Sequence, residues 1–425
     1  MKKVLAILLT GLLLFSMVAC GKDVEEPVGT ETGTETSAPT TPKPDFVPDD
    51  DDDKSKPEDD SKGNESQGAN GNTIVALNKN TKGIKLLSPR NIPSDTQINC
   101  DRSGSGIEFV LDNRSPSVMI EASSSATCRF KVYVNGELQK NTENQEFFTI
   151  NQAGFIVLSN LPQGTITVRV VKITDQAIAT AQLTKVTFLG ELKKDSAPAN
   201  KDLYIEFVGG AEVAGTFASG GTYADQDATT AYGYLLAEQM NADYSIISLG
   251  ADAALTGDVD LCSLYTKTSP IRDANATYDF ARKADMVVVD LGAVDAALSA
   301  TDNTVTPAAF ADKYEALLNT IRQKNGEDCK IVCVYTTEMG EFGMAVRNIC
   351  RTEMGGQQNG IYLCQRTVGG NGILSIPNSA IFANALRNIA ETAIAGMITD
   401  RELATGENGE GFKVSFKNDF VPLFN

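Results

Sequence analysis

The hydrophobic period of the sequence changes once, between Lys194 and Leu203, and that change constrains the fold more than any other feature. Before it, from about Thr73, apolar and polar residues alternate in short runs closed by turn residues: "GIEFVLD", "SVMIEAS", "RFKVYVNGE", "FFTI", "GFIVLSNL" and "TITVRVVKIT". A period of two is that of strands with one buried face; Asn135-Gly136 is a strong hairpin turn and Pro162-Gln163-Gly164 another tight one. These runs predict a β-sandwich over residues 73–196. After the linker "KKDSAPANKD" the strands become continuously apolar and alternate with helical patterns. Strands are expected near Leu203–Val208, Tyr244–Leu249, Met286–Leu291, Lys330–Tyr335 and Ile361–Gln365, and helices near Ala228–Asn241, Pro307–Lys324 and Ser379–Ile398. Strands that are apolar on both faces need cover on both, so residues 197–400 are expected to form a three-layer α/β domain around a parallel sheet.

The ends of the chain have a different composition. "MKKVLAILLTGLLLFSMVAC" has two lysines, an apolar run shorter than a membrane span, and small Ala19 before Cys20, the pattern of a secretion signal over residues 1–20. Residues 21–72 are rich in Thr, Pro, Gly, Ser and acid, and have almost no large apolar side chain, so an extended disordered stalk is expected. The stalk holds 15 acidic and 5 basic residues, a net ten of the chain's 18 negative charges. The rest is only mildly acidic, and without a basic cluster it is not expected to bind nucleic acid. The tail, residues 401–425, is left unassigned.

Two absences bear on chemistry: the 425 residues include no histidine and no tryptophan. The first removes the usual general base and the commonest metal ligand, the second the best ring for stacking on a sugar. Besides Cys20 there are seven cysteines, without Cys-x-x-Cys spacing, which argues against a zinc site and a full disulfide framework. Cys100 and Cys128 could form one bridge; buried free thiols are the alternative. Asp252, Asp258 and Asp260 in "GADAALTGDVD" offer oxygen ligands, but their spacing matches no EF-hand loop. No metal and no cofactor is expected.

In open parallel sheets, ligands bind beyond the carboxyl ends of the strands. That directs attention to the turns at Gly209, Gly250 and Gly292. "YIEFVGGAEVAG" resembles the first block of SGNH (GDSL-type) hydrolases, where Gly-Asp-Ser follows the strand. "ADMVVVDLGAVDAAL" is similar to their third block and "GNGILSIPNSAIFANALRNIAE" to their last. Upstream, "ITVRVVKITDQAIATAQLTKVTFLGEL" is similar to the end of the jelly roll that precedes the catalytic domain in family-two carbohydrate esterases, and "TTAYGYLLAEQMNADYSIISLGADAALTG" to the segment between their first and second blocks. The resemblance implies a jelly-roll sandwich followed by a flavodoxin-like parallel sheet. It also implies that Cys20, placed as in a lipobox, is lipidated and anchors the chain on the outer face of a bacterial membrane.

The resemblance places the nucleophilic serine on Ala211 and the preceding aspartate on Gly210. It places the oxyanion glycine on Gly250, the oxyanion asparagine on Val294, the histidine on Ile376 and its acidic partner near Ile373 or Leu374. A serine esterase needs a hydroxyl, a base and oxyanion donors, and only the Gly250 backbone N–H survives. The apolar replacements Ala211, Val294 and Ile376 are expected to converge at one cleft, which is either packed shut by them or keeps its shape as a pocket that binds ligand without turnover. Glu212 and Asp295 are the carboxylates of a conceivable displaced hydrolase, with Thr216 and Ser219 as nearby hydroxyls; solvated loop residues are the blander reading of all four. The candidate cleft is therefore Gly209, Gly210, Glu212, Gly292 and Asp295. Three readings stay open: a non-catalytic binder of polysaccharide or cell-envelope ligand, with Phe217, Tyr223, Tyr232 and Tyr234 to stack on a ring; a module that binds another surface protein; and an acyl-ester hydrolase with a displaced mechanism.

Overall fold

The computed structural model describes residues 64–404 except 69–70, 92, 217–225, 249, 251–253, 257–260, 270–271, 274 and 371–373. The first part is antiparallel throughout. Its principal strands are β1 (Gly106–Ser124), β2 (Cys128–Val134), β3 (Gly164–Lys172) and β4 (Ala181–Leu192), in the order β4-β1-β3-β2. Alternate residues turn inward to one core that includes Phe109, Ile120, Phe130, Val168 and Phe188.

The runs expected as two strands, "GIEFVLD" and "SVMIEAS", are halves of the single strand β1. The first half pairs with β3 and the second with Ala153–Leu158, while β4 follows both. The bend falls near Pro116, where Asn113 Nδ2 donates to the carbonyls of Ser115 (2.6 Å) and Pro162 (2.7 Å). The β4 ladder shifts register there, at Gly190, whose φ is 137° and where a Cβ would lie 1.9 Å from the Asp112 carbonyl oxygen. Glu65–Gln67, inside the stretch that composition assigns to the stalk, pairs with Thr73–Ala76 as a short edge strand. Backbone pairing needs no apolar side chain. Cys100 and Cys128 are both free and buried.

The second part contains five parallel strands: β5 (Leu203–Gly209), β6 (Ala242–Ser248), β7 (Met286–Asp290), β8 (Lys330–Tyr335) and β9 (Ile361–Gln365). Their order is β6-β5-β7-β8-β9, so the direction of winding reverses between β5 and β7. One face packs under α2 (Tyr232–Gln239) and α6 (Ile376–Ala404); the other lies under α4 (Pro307–Asn325) and α5 (Glu341–Asn348). Two helical layers thus enclose the sheet, as the continuous apolar runs predict. Thr306 starts α4 as an N-cap, accepting from the Ala309 N–H, with Pro307 at the first helical position. Among the described residues no helix is long and apolar enough to cross a membrane.

The antiparallel part and the α/β part meet through buried charge. Glu206, in the middle of β5, accepts from Arg90 Nε (2.6 Å) and Nη2 (3.0 Å), Tyr204 Oη (2.7 Å) and Tyr265 Oη (2.6 Å). The Arg90 guanidinium also lies 4.5–5.0 Å from the ring centres of Tyr265, Tyr278 and Phe280. Burial works to raise the Glu206 pKa, but the charge and hydrogen bonds of Arg90, with those of Tyr265 and Tyr204, outweigh it and hold the carboxyl below its ordinary value. The half-exposed pair Arg169–Glu238 (2.6 Å) and the buried pair Lys85–Asp243 (2.8 Å) extend this junction. A loop of the antiparallel part reaches the carboxyl edge of the parallel sheet, where Gln176 Nε2 donates to the Ser248 carbonyl.

Candidate functional site

Register alone brings the edge together: Gly209, the last residue of β5, pairs with Ser248 of β6 on one side and Asp290 of β7 on the other. This is the point where the winding direction reverses. Gly209 leaves no room for a side chain, since a Cβ would lie 2.8 Å from Val213 Cγ1 and 2.9 Å from the Asp290 carbonyl oxygen. Gly210 caps the short helix α1 (Ala211–Ala214), so Ala211, buried, occupies its first turn.

Ser248 ties the turns to one another. Its hydroxyl donates to the Gly210 carbonyl (2.9 Å) and accepts from the Gly250 N–H (3.0 Å), and Asp175 Oδ2, on a loop of the antiparallel part, lies 3.4 Å away. The Gly250 N–H, the one polar group expected to persist, is therefore engaged by Ser248.

Four polar side chains converge at this edge. Glu212 projects from α1, Asp290 ends β7, Tyr232 opens α2 and Arg366 follows β9. Tyr232 Oη donates to Asp290 Oδ2 at 3.0 Å. Burial, then the charge of Asp290, pushes the Glu212 carboxyl up to about 7, against the pull of Arg366 and of the backbone N–H groups of Glu212 and Gly210. Burial opposes the Arg366 charge, but Asp290, Glu212 and Tyr232 outweigh it and raise the Arg366 pKa. Burial, then the charges of Asp290 and Glu212, hold the Tyr232 phenol well above its usual value. The arrangement sets the Glu212 carboxyl, able to hold or release a proton near neutral pH, beside the carboxylate of Asp290 and the guanidinium of Arg366.

Of the five candidate cleft residues, Gly209, Gly210 and Glu212 lie at this edge together. Gly292 instead caps α3 (Ala293–Leu298) with φ 109°, close against Met339 and Phe310. Asp295, on that helix, is fully buried and binds the chain after β6: it accepts from the N–H groups of Leu255 (3.1 Å) and Thr256 (2.8 Å) and from the Thr256 hydroxyl (2.6 Å). The solvated-loop reading fails for it, as it does for Thr216, which is buried, and for Glu212, which is helical and partly buried.

The expected apolar plug does not form either. Val294 is half-buried and Ile376 is 51 % exposed at the start of α6, so only Ala211 and the neighbouring Leu374 are buried. Ile376 occupies the first turn of a helix whose buried face begins at Ser379, and this turns it to solvent. Tyr232 and Tyr234 are both buried. Cys20, Phe217, Ser219, Tyr223, Asp252, Asp258, Asp260 and Ile373 lie outside the described residues. Among the described residues no three metal-ligating side chains form a group.

Sequence reasoning missed Asp290 and Arg366, although each stands at the carboxyl end of an apolar strand, the position at which a charge calls for an explanation. A first expected result concerns Glu212. Its folded pKa lies above its unfolded value, so its ionisation destabilises the fold progressively from about pH 4.5 to about pH 7. Glu212→Gln is expected to match the wild type at pH 4 and to melt roughly 2–4 °C higher at pH 8, the shift for about 1 kcal/mol. Thermal unfolding across that range checks it, and equal melting at pH 8 would contradict it.

No protein-family model matches the sequence, and no curated protein is significantly similar to it. Solved structures are similar in fold. A family two carbohydrate esterase from Clostridium thermocellum in complex with cellohexaose has a TM-score of 0.64 at 20 % identity, covering 74 % of this chain and 99 % of its own. An acetyl xylan esterase from the rumen bacterium Butyrivibrio proteoclasticus gives 0.63 at 16 %, covering 76 % and 98 %. A carbohydrate esterase whose active site displays divergent catalytic and non-catalytic binding functions gives 0.54 at 15 %, covering 75 % and 97 %. The chain thus has the two-part fold of the family-two carbohydrate esterases, an antiparallel sheet domain joined to a parallel five-stranded one, as the resemblance of its sequence blocks implies.

Proposed function

We propose that the protein is an extracellular lipoprotein, anchored to the membrane through Cys20, that binds a glycan or cell-envelope ligand without turning it over. The observation that carries this reading is the first turn of α1. On the alignment that the sequence resemblance implies, the position of a nucleophilic oxygen falls on the methyl group of Ala211, and the sequence has no histidine to serve as a base. Loss of one oxyanion donor costs roughly 10²–10³ in rate, and loss of the nucleophile or base about 10⁶. Val294 has no donor, and the Gly250 N–H is engaged by Ser248. The reading is supported by a carbohydrate esterase of similar fold whose active site displays divergent catalytic and non-catalytic binding functions. The polar edge formed by Glu212, Asp290 and Arg366 suits the hydroxyls of a sugar better than an apolar pocket would.

One observation favours a displaced hydrolase instead. A carboxyl raised to about 7 beside a second carboxylate is the electrostatic form of an acid–base pair. The test for binding is calorimetric titration of the full chain with xylo-, gluco- and manno-oligosaccharides, with and without acetyl groups. Saturable heat without product is the expected result. The absence of binding to every oligosaccharide and to isolated cell-wall polymer would overturn the proposal.

A further inference from the structure

The sheet that contains the second half of β1 runs in the order Glu65–Gln67, Thr73–Ala76, β4, β1 and Ala153–Leu158, so its outermost strands are edges. The two edges meet solvent differently. Glu65–Gln67 is only three residues long, and its Glu65 carboxylate is paired with Lys194 at 3.1 Å. Short length and charge are the usual means of keeping an edge from pairing with another chain. Ala153–Leu158, "AGFIVL", has neither. It contains no proline and no charge, and no charged residue occurs anywhere between Glu146 and Arg169. Among the described residues its one strand partner is β1.

That pairing fixes which main-chain groups are left over. The Ser124 N–H donates to the Gln152 carbonyl (2.8 Å), and the same register runs on from Ser123–Ala153 to Val118–Leu158. Hydrogen-bonded pairs alternate along an antiparallel ladder, so Gly154, Ile156 and Leu158 bond inward to β1. Phe155 and Val157 therefore direct their N–H and C=O groups away from the sheet. Their side chains are uncovered as well: Phe155 is 53 % and Val157 40 % exposed, whereas Ile156 and Leu158 belong to the core. Met119, half-buried opposite Val157, continues the apolar surface onto β1.

Free main chain, uncovered apolar side chains and the absence of charge coincide on one strand, the combination that favours strand addition. The charge pattern selects the occupant. An acidic or basic partner finds nothing here to recognise, whereas a second copy meets this strand with no like charges opposed. A two-fold axis at Ile156 sets Phe155 of each copy opposite Val157 of the other, and each such pair can exchange both of its outward hydrogen bonds. Pairing with the far edge of another copy, which would build a filament, meets the short strand and the ion pair at Glu65 instead.

We propose that the protein forms a two-fold symmetric dimer by antiparallel pairing of Ala153–Leu158 with the same strand of a second copy. Sedimentation velocity of the full chain over about 1–100 µM tests it, a range in which an association of micromolar strength is visible. The expected result is a monomer–dimer equilibrium without larger species, because a two-fold contact closes on itself. Val157→Lys, which sets a charge against Phe155 of the other copy, is expected to weaken the dimer at least about tenfold, and Phe155→Lys to do the same. Both side chains are exposed, so thermal unfolding of the dilute monomer should change little and serves as the folding control. A protein that stays monomeric across the range, its edge then left to another segment or another partner, would overturn the proposal. Association that survives either substitution in a folded variant would overturn it too.

Discussion

Replacing Glu206 with alanine is expected to lower stability by about 3–5 kcal/mol, the cost of leaving a buried partner charge uncompensated. Arg90 is buried beneath three aromatic rings and directs two of its nitrogens at this carboxylate, so after the change its charge cannot reach water. Tyr204 and Tyr265 would lose their hydroxyl acceptor at the same time. Arg90 comes from the antiparallel part and Glu206 from the parallel sheet, so denaturant unfolding should lose its single transition as the two parts uncouple. The pH dependence has a definite sign. The folded Glu206 pKa lies below the unfolded one, so its contribution is complete above about pH 4.5 and is lost as the pH falls through the lower, folded value. Glu206→Gln should therefore flatten acid unfolding below that pH. A variant as stable as the wild type at pH 7 would show that the junction does not depend on this pair.

The second large effect is expected at the carboxyl edge. Asp290→Asn keeps the shape and an acceptor for Tyr232 but removes the charge that, after burial, does most to raise Glu212. Glu212 should then titrate at a lower pH, and Arg366, 1 % exposed, should lose one of the two carboxylates that favour its charge, at a cost of about 1–3 kcal/mol. Carbon-detected NMR of the Glu212 carboxyl measures the first effect and denaturant unfolding the second. An unchanged Glu212 titration would mean that the two carboxyls do not interact.

The layer structure was legible because it depends on period: apolar and polar residues alternating in the antiparallel part, and unbroken apolar runs in strands buried on both faces. The turn at Gly209 and Ala211 was legible too, since it follows from where a strand ends. The partners were not. Arg90 and Glu206 are separated by 116 residues, and nothing in "YIEFV" states that a guanidinium will arrive from the other sheet. The cluster of Glu212, Tyr232, Asp290 and Arg366 comes from four separate elements that only the sheet register assembles. Reading Ala211, Val294 and Ile376 as one apolar plug failed for a related reason. Residue type suggests burial, but Ile376 stands in the exposed first turn of its helix.

Acetate release by the full chain from acetylated xylan and glucomannan, measured against a protein-free blank, tests most directly the claim that this fold binds without catalysis. No release above the blank is the result that Ala211 and the absent histidine predict. Turnover, above all turnover abolished by Glu212→Gln, would contradict it and establish the carboxyl pair as a rebuilt hydrolytic site.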